Sequence, residues 1–172
     1  MNEELKNLTK EKLIDYIEDL SKNWLAHDGL WFQEVEKEFG IEKAIELDVN
    51  AWKTFSSIEA KRIMNRFNIP NNGGIPALVE ALNYRLYSNI NIQETIEITD
   101  NRCIFRMNDC RVQSARKRKN LPDFPCKTVG LVEYGIFAQT IDPRIKTRCI
   151  SCPPDPHPDN YYCAWEFKIE EE

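Results

Sequence analysis

Apolar residues in the first half of the chain recur with a helical period. Behind Thr9, a suitable N-cap, Leu13, Ile17, Leu20, Trp24, Trp31 and Val35 fall three, four or seven residues apart, the spacing of one face of a long helix. Gly40 closes it. A second helix is predicted over residues 42–67 on the stripe Ala44, Leu47, Phe55, Ile58, Ile63 and Phe67, and Pro70 with Asn71-Asn72-Gly73-Gly74 breaks it. Pro76 suits the first turn of a third helix, which runs to about residue 87 and buries Leu78, Leu82 and Leu86.

After Asn89 the period falls to two. Cys103, Phe105 and Met107 alternate with Ile104 and Arg106, so residues 92–98 and 102–107 are predicted to pair as a hairpin turning at Asp100-Asn101. Asn108 or Asp109 can cap a helix that carries Cys110 and the basic run from Arg111 to Lys119, and Leu121-Pro122 ends it. Thr128 can cap the next helix, with Leu131, Val132, Phe137 and Ile141, up to Asp142-Pro143. Two strands close the chain, the last with Tyr161, Cys163, Trp165, Phe167 and Ile169 on one face. Helices, hairpin, two helices, hairpin is an α+β order. A chain of 172 residues fits a single domain, residues 1–172, with a helical half, 1–88, and a cysteine-bearing α+β half, 89–172.

Composition narrows the function classes. At 42% hydrophobic and 10% aromatic residues the chain is too apolar for disorder. No apolar stretch approaches a membrane span, and MNEELKNLTKEK lacks the apolar centre of a signal peptide, so a cytoplasmic location and no membrane contact are expected. Net charge is −5, with 11 basic and 18 acidic side chains in residues 1–100 against 12 and 10 in the remainder. The run Arg116-Lys117-Arg118-Lys119 has no interleaved aromatic and sits in an acidic chain, which favours a solvated helix face over a nucleic-acid contact.

All six cysteines, Cys103, Cys110, Cys126, Cys149, Cys152 and Cys163, lie in the second half. Without a secretion signal they read as thiols or metal ligands rather than disulfides. Cys149 and Cys152 form a C-x2-C pair at a strand end, which lets two thiolates converge on one ion; Cys163 on the returning strand can join them across a loop that holds His157. Cys126, just before a helix, can bring a further sulfur. Zinc is the expected ion, with an iron–sulfur cluster on four of these thiolates as the alternative. Cys103, on an apolar strand face, reads as core.

Other residues suggest a small-molecule pocket. His27 shares a helix face with Trp24 and Trp31, and a His27 that met Cys110 or Cys126 would make a thiol–imidazole pair with a cysteine as nucleophile. Asn108, Asp109 and Arg111 crowd one helix start with Gln113 and Arg116, where an anionic group would be received. His27, Trp31, Asn108, Asp109 and Arg111 are therefore the candidate ligand-binding residues, and Cys110 and His27 the candidate catalytic ones.

Cys126 before a helix with Gly130 and Gly135, Cys149 at a strand end, and Cys163 before aromatic-rich alternation resemble the C-terminal part of the 4-vinyl reductase domain. That resemblance implies an α+β small-molecule-binding module with Cys126, Cys149 and Cys163 as metal ligands. A typical member has a short Gly-Asp turn between the last two cysteines, where this chain has a Pro-rich loop with Cys152 and His157; Cys152, Cys110 or an acidic residue could be the fourth ligand. The helical first part and cysteine-bearing second part also resemble L-2-amino-thiazoline-4-carboxylic acid hydrolase-like proteins, which implies ring opening of a thiazoline. Over nearly the whole length, HDGLWF, EAKRIM, RMNDCRVQ, LPDFPCK, VGLVEY, IDPRIKT and CPPDPHPD resemble an uncharacterised prokaryotic family of cytosolic proteins. The leading expectation is a metal-binding, small-molecule-binding protein, with a homodimer allowed. The alternatives are a hydrolase of a small heterocycle or amide and a redox-responsive interaction protein.

Overall fold

The computed structural model describes residues 2–170. Thr9 caps α1 (Lys10–Phe39), its hydroxyl accepting from the Lys12 amide at 3.3 Å. Gly40, at φ 84°, ends α1 and reverses the chain at once into α2 (Ile41–Phe67). Then come α3 (Gly74–Leu82), β1 (Ile92–Ile96), β2 (Arg102–Asp109), α4 (Arg111–Arg118), α5 (Lys127–Ile141), β3 (Lys146–Ser151) and β4 (Cys163–Lys168), with short 3-10 turns at Glu3–Asn7 and Leu86–Asn89. The fold is α+β. Its strands form one antiparallel sheet in the order β1-β2-β4-β3.

One face of the sheet makes the core. Cys103, Phe105 and Met107 of β2 and Cys163, Trp165 and Phe167 of β4 pack with Tyr134, Phe137, Ala138 and Ile141 of α5, backed by Ala60, Ile63 and Met64 of α2 and Leu78, Ala81 and Leu82 of α3. The other face is ionic: Glu166 accepts from Arg102 and Arg148, each at 2.8 Å, and these two guanidiniums, Arg148 first, hold its carboxyl down at about 2. No described helix is long and apolar enough to cross a membrane.

Three departures from the sequence expectation have physical causes. The helix-period stripe of α1 exists but points outward, with Ile17 50%, Leu20 49% and Trp31 70% exposed, while Ser21 and Leu25 are buried. Likewise α2 buries Trp52, Ser56 and Glu59 and leaves Leu47 and Phe67 exposed. The predicted third helix stops at Leu82, because Arg85 adopts an extended backbone and turns its guanidinium into the core. Finally, β2 continues to Asp109 on its ladder with β1, so Cys110 rather than Asn108 or Asp109 becomes the N-cap of α4; Cys126 rather than Thr128 occupies that place on α5.

Candidate functional site

Between α1, α2, α4, α5 and the adjoining end of the sheet lies a cavity of about 380 Å³. Its α1 and α2 side carries Leu25, Asp28, Asp48 and Trp52, and Glu133 and Tyr134 of α5 also face it. Cys110, Cys126, Cys152 and Cys163 line it together with Trp165, and Arg118 and Lys119 at its rim are exposed.

The thiols reach this place by separate routes. Gln113, 1% exposed, clamps the segment before α5: its Nε2 donates to the Phe124 carbonyl at 2.9 Å and to Cys126 Sγ at 3.5 Å, and its Oε1 accepts the Phe124 amide at 2.8 Å. That fixes Cys126, whose sulfur is 3.6 Å from Cys152 Sγ. Cys152 follows β3, and its thiol also bonds to Cys163 of β4. Cys149 is close enough to Cys163 and Cys126 to feel their charge, as Cys110 is to Cys126 and Cys163.

The thiols differ in acidity. Burial pushes Cys110 up to about 12, so it stands as a neutral thiol. Its hydrogen bonds to Cys126 and Cys163, together with burial, push Cys152 far above the ordinary thiol range. Cys163 moves the other way. The Cys152 thiol donates to it; burial and the Glu133 charge oppose the shift, but the indole N–H of Trp165 and the Met107 amide add to it. Trp165 is fully buried and its Nε1 meets no hydrogen-bond partner at full bonding geometry among the described residues.

On the α1 and α2 wall, burial pushes the Asp48 carboxyl up to about 7, helped by the charges of Asp28 and Glu133 and opposed by a hydrogen bond from Trp52. Burial raises Asp28 as well, against the nearby His27. A carboxyl titrating near 7 when folded and near 4 when unfolded favours folding while protonated, and that contribution is lost as pH rises from about 4 through 7. Asp48→Asn removes the loss. The variant should therefore gain on the parent across that window, by roughly 2–4 kcal/mol at about pH 8, measured as the difference in urea unfolding at about pH 5 and 8. A gap equal at the two pH values would contradict the assignment.

The structure brings Cys110, Cys126, Cys152 and Cys163 to the cavity, leaves Cys149 nearby but off its lining, and keeps Cys103 in the core away from it. Arg111 lines the cavity, its amide donating to Asn91 Oδ1 at 2.9 Å. His27 and Trp31 do not line it; they flank a shallow hollow on the outer side of α1 with Trp24 and Asp28. Asn108 is part of β2, its buried Oδ1 without a hydrogen-bond partner among the described residues, and exposed Asp109 accepts from the Ser114 hydroxyl at 3.2 Å. His157 is exposed, with Nδ1 2.9 Å from the Pro158 carbonyl. The basic run is not wholly solvated: Arg116 is 5% exposed, forms a two-pronged pair with Glu36 of α1 at 2.8 and 3.0 Å and donates to the Pro122 carbonyl, docking α4 against α1.

Asp48, Trp52, Glu133, Tyr134 and Trp165 are cavity residues that the sequence pattern does not single out. A signal existed for Glu133, the only charge between Lys127 and the end of the otherwise apolar α5. Asp48 gave none, since it is one acid among several in α2.

Two sulfurs bound to one tetrahedral zinc at about 2.3 Å lie about 3.8 Å apart, close to the 3.6 Å between Cys126 and Cys152. Among the described residues, no three His, Cys, Asp or Glu side chains are gathered tightly enough to hold an ion as they stand.

Residues 6–169 match the model of a family of unknown function, DUF6125, and the chain belongs to that family. This agrees with the resemblance to an uncharacterised family and does not extend to the 4-vinyl reductase domain or the thiazoline hydrolases. No curated protein and no solved structure matches the chain.

Proposed function

We propose that this chain binds a small organic molecule in the cavity and holds a zinc ion on Cys126, Cys149, Cys152 and Cys163 beside it. The observation that carries the reading is the meeting at one cavity wall of thiols from the start of α5, from the loop after β3 and from β4, with Cys149 of β3 near enough to feel the charges of Cys126 and Cys163. Sulfur donors suit zinc, and binding it requires the thiols to give up protons and close in by a small movement of the β3–β4 loop. Aromatic walls from Trp52, Tyr134 and Trp165 suit a flat or apolar ligand body. Asp28 and Asp48 would receive its donor groups, and Arg111 at the start of α4 would receive an acidic one.

The test is elemental analysis of reduced protein purified without oxygen. About one equivalent of zinc is expected, falling at least about fivefold in Cys126→Ser and unchanged in Cys103→Ser. Zinc below about 0.2 equivalents would overturn the zinc reading, and stoichiometric iron with a brown colour would replace it with a cluster.

A further inference from the structure

We infer that Cys152 and Cys163 form a redox-active dithiol that exchanges with a low-molecular-weight disulfide entering the cavity. The β3–β4 ladder pairs Cys149 with Trp165 and, after a bulge at Ile150, Ser151 with Ala164. The same register carried one residue past the end of β3 sets Cys152 opposite Cys163. Residues so placed have Cα atoms about 4.5–5.5 Å apart, inside the roughly 4.4–6.8 Å that a disulfide spans. The two thiols are close enough for each to shift the other's acidity, and both line the cavity.

A second feature at the same spot leaves room for a negatively charged sulfur. The Trp165 indole is fully buried, lines the cavity and lies beside Cys163, and its Nε1 has no hydrogen-bond partner among the described residues. A buried donor of this kind is costly to leave unused. A negatively charged sulfur, at Cys163 or on a departing thiolate, would satisfy it.

The exchange balances without any further reactant. The Cys163 sulfur gives up its proton and attacks one sulfur of the small disulfide; the S–S bond breaks, and the first half leaves as a thiolate that takes that proton. A mixed disulfide remains on Cys163. The Cys152 sulfur then attacks the Cys163 sulfur, the second half leaves, and it takes the Cys152 proton. Two protein thiols are oxidised to one disulfide, and one small disulfide is reduced to two thiols. The inference rests on the reading that the cavity admits a small molecule. It does not rest on the zinc ion, although a bound ion would compete for the same sulfurs.

The test uses the full chain, reduced and stripped of metal with a chelator, treated with 2-hydroxyethyl disulfide and then mapped by differential alkylation and mass spectrometry. Two of the six thiols are expected to be lost, at Cys152 and Cys163, and to return with dithiothreitol. Cys152→Ser should stop at the mixed disulfide on Cys163, heavier by one hydroxyethylthio group. Six free thiols after treatment, or a disulfide joining another pair, would overturn the inference. A parallel native-state alkylation keeps the two readings apart: a cavity closed to small molecules leaves Cys163 unlabelled, whereas an open cavity without exchange leaves Cys163 labelled and Cys152 unpaired. Loading with zinc beforehand should slow the oxidation at least about tenfold if the ion binds these sulfurs, and a failure of that arm alone counts against zinc and not against the dithiol.

Discussion

Replacing Arg85 by methionine is expected to destabilise the fold by roughly 3–5 kcal/mol. Its side chain is 2% exposed, with Nε and Nη2 each 2.9 Å from Glu59 Oε2, and Nη2 2.7 Å from Glu133 Oε1. The guanidinium carbon lies 4.8 to 5.8 Å from the ring centroids of Phe137, Tyr87, Tyr134 and Trp52. Burial works against the charge, and the two carboxylates outweigh it. Without the arginine, two carboxylates remain deep in the protein with no counter-ion, and that uncompensated burial accounts for most of the cost. Urea unfolding of two variants separates this from simple loss of packing. Arg85→Met should fall by the stated amount, and the same change combined with Glu59→Leu and Glu133→Leu should recover at least about half of it. A single variant within about 1 kcal/mol of the parent would show that the cluster is neither dry nor tightly paired.

The second large effect belongs to Gly130. A Cβ built there would stand 2.5 Å from Cζ2 and 2.8 Å from Cη2 of Trp165, so α5 crosses β4 at a distance that no side chain permits. The indole has little room to retreat, being fully buried with its ring 5.0 Å from that of Tyr134. Gly130→Ala should cost about 1–3 kcal/mol and push the indole away from Cys163, so on the proposed reading zinc occupancy falls as well. Gly135 is the control, because a Cβ there meets nothing within 4 Å, and Gly135→Ala should stabilise the helix by about 0.5–1 kcal/mol. Equal responses at the two glycines, read by thermal unfolding, would contradict the close approach.

Periodicity located the long helices but not the direction they face. Leu13, Ile17, Leu20, Trp24 and Trp31 form the stripe that spacing predicts, yet a stripe only says that one face is apolar. Here the inward ridge runs through Ser21, Leu25, Asp28, Phe32 and Glu36, because it must wall the cavity and meet Phe124 and Arg116 on the far side. An apolar count along the helix cannot see that polar residues face inward to pair across 80 residues of chain. The same distance hid the Arg85, Glu59 and Glu133 cluster, whose members come from three elements.

The cysteine site was more legible than the rest. Strand alternation and the C-x2-C spacing put Cys149, Cys152 and Cys163 on one hairpin; in the sheet Cys149 pairs with Trp165 across the hairpin, and Cys163 pairs with Met107 of β2. Cys126 is different. Its approach to Cys152 depends on the Gln113 clamp and on the Lys127 amide donating to the Pro153 carbonyl at 2.9 Å, contacts that no local pattern encodes. The C-x2-C spacing at a strand end carries no sign of the bulge at Ile150, which resets the register; without it Cys152 would point to the ionic face.

The central claim is that Cys126, Cys149, Cys152 and Cys163 act together on one zinc ion. X-ray absorption at the zinc edge, on the reduced full chain as purified, addresses it most directly. Four sulfur neighbours at about 2.3 Å are expected, and three around the residual zinc that Cys126→Ser still holds; a zinc shell of nitrogen and oxygen alone, or one unchanged in that variant, would contradict the account.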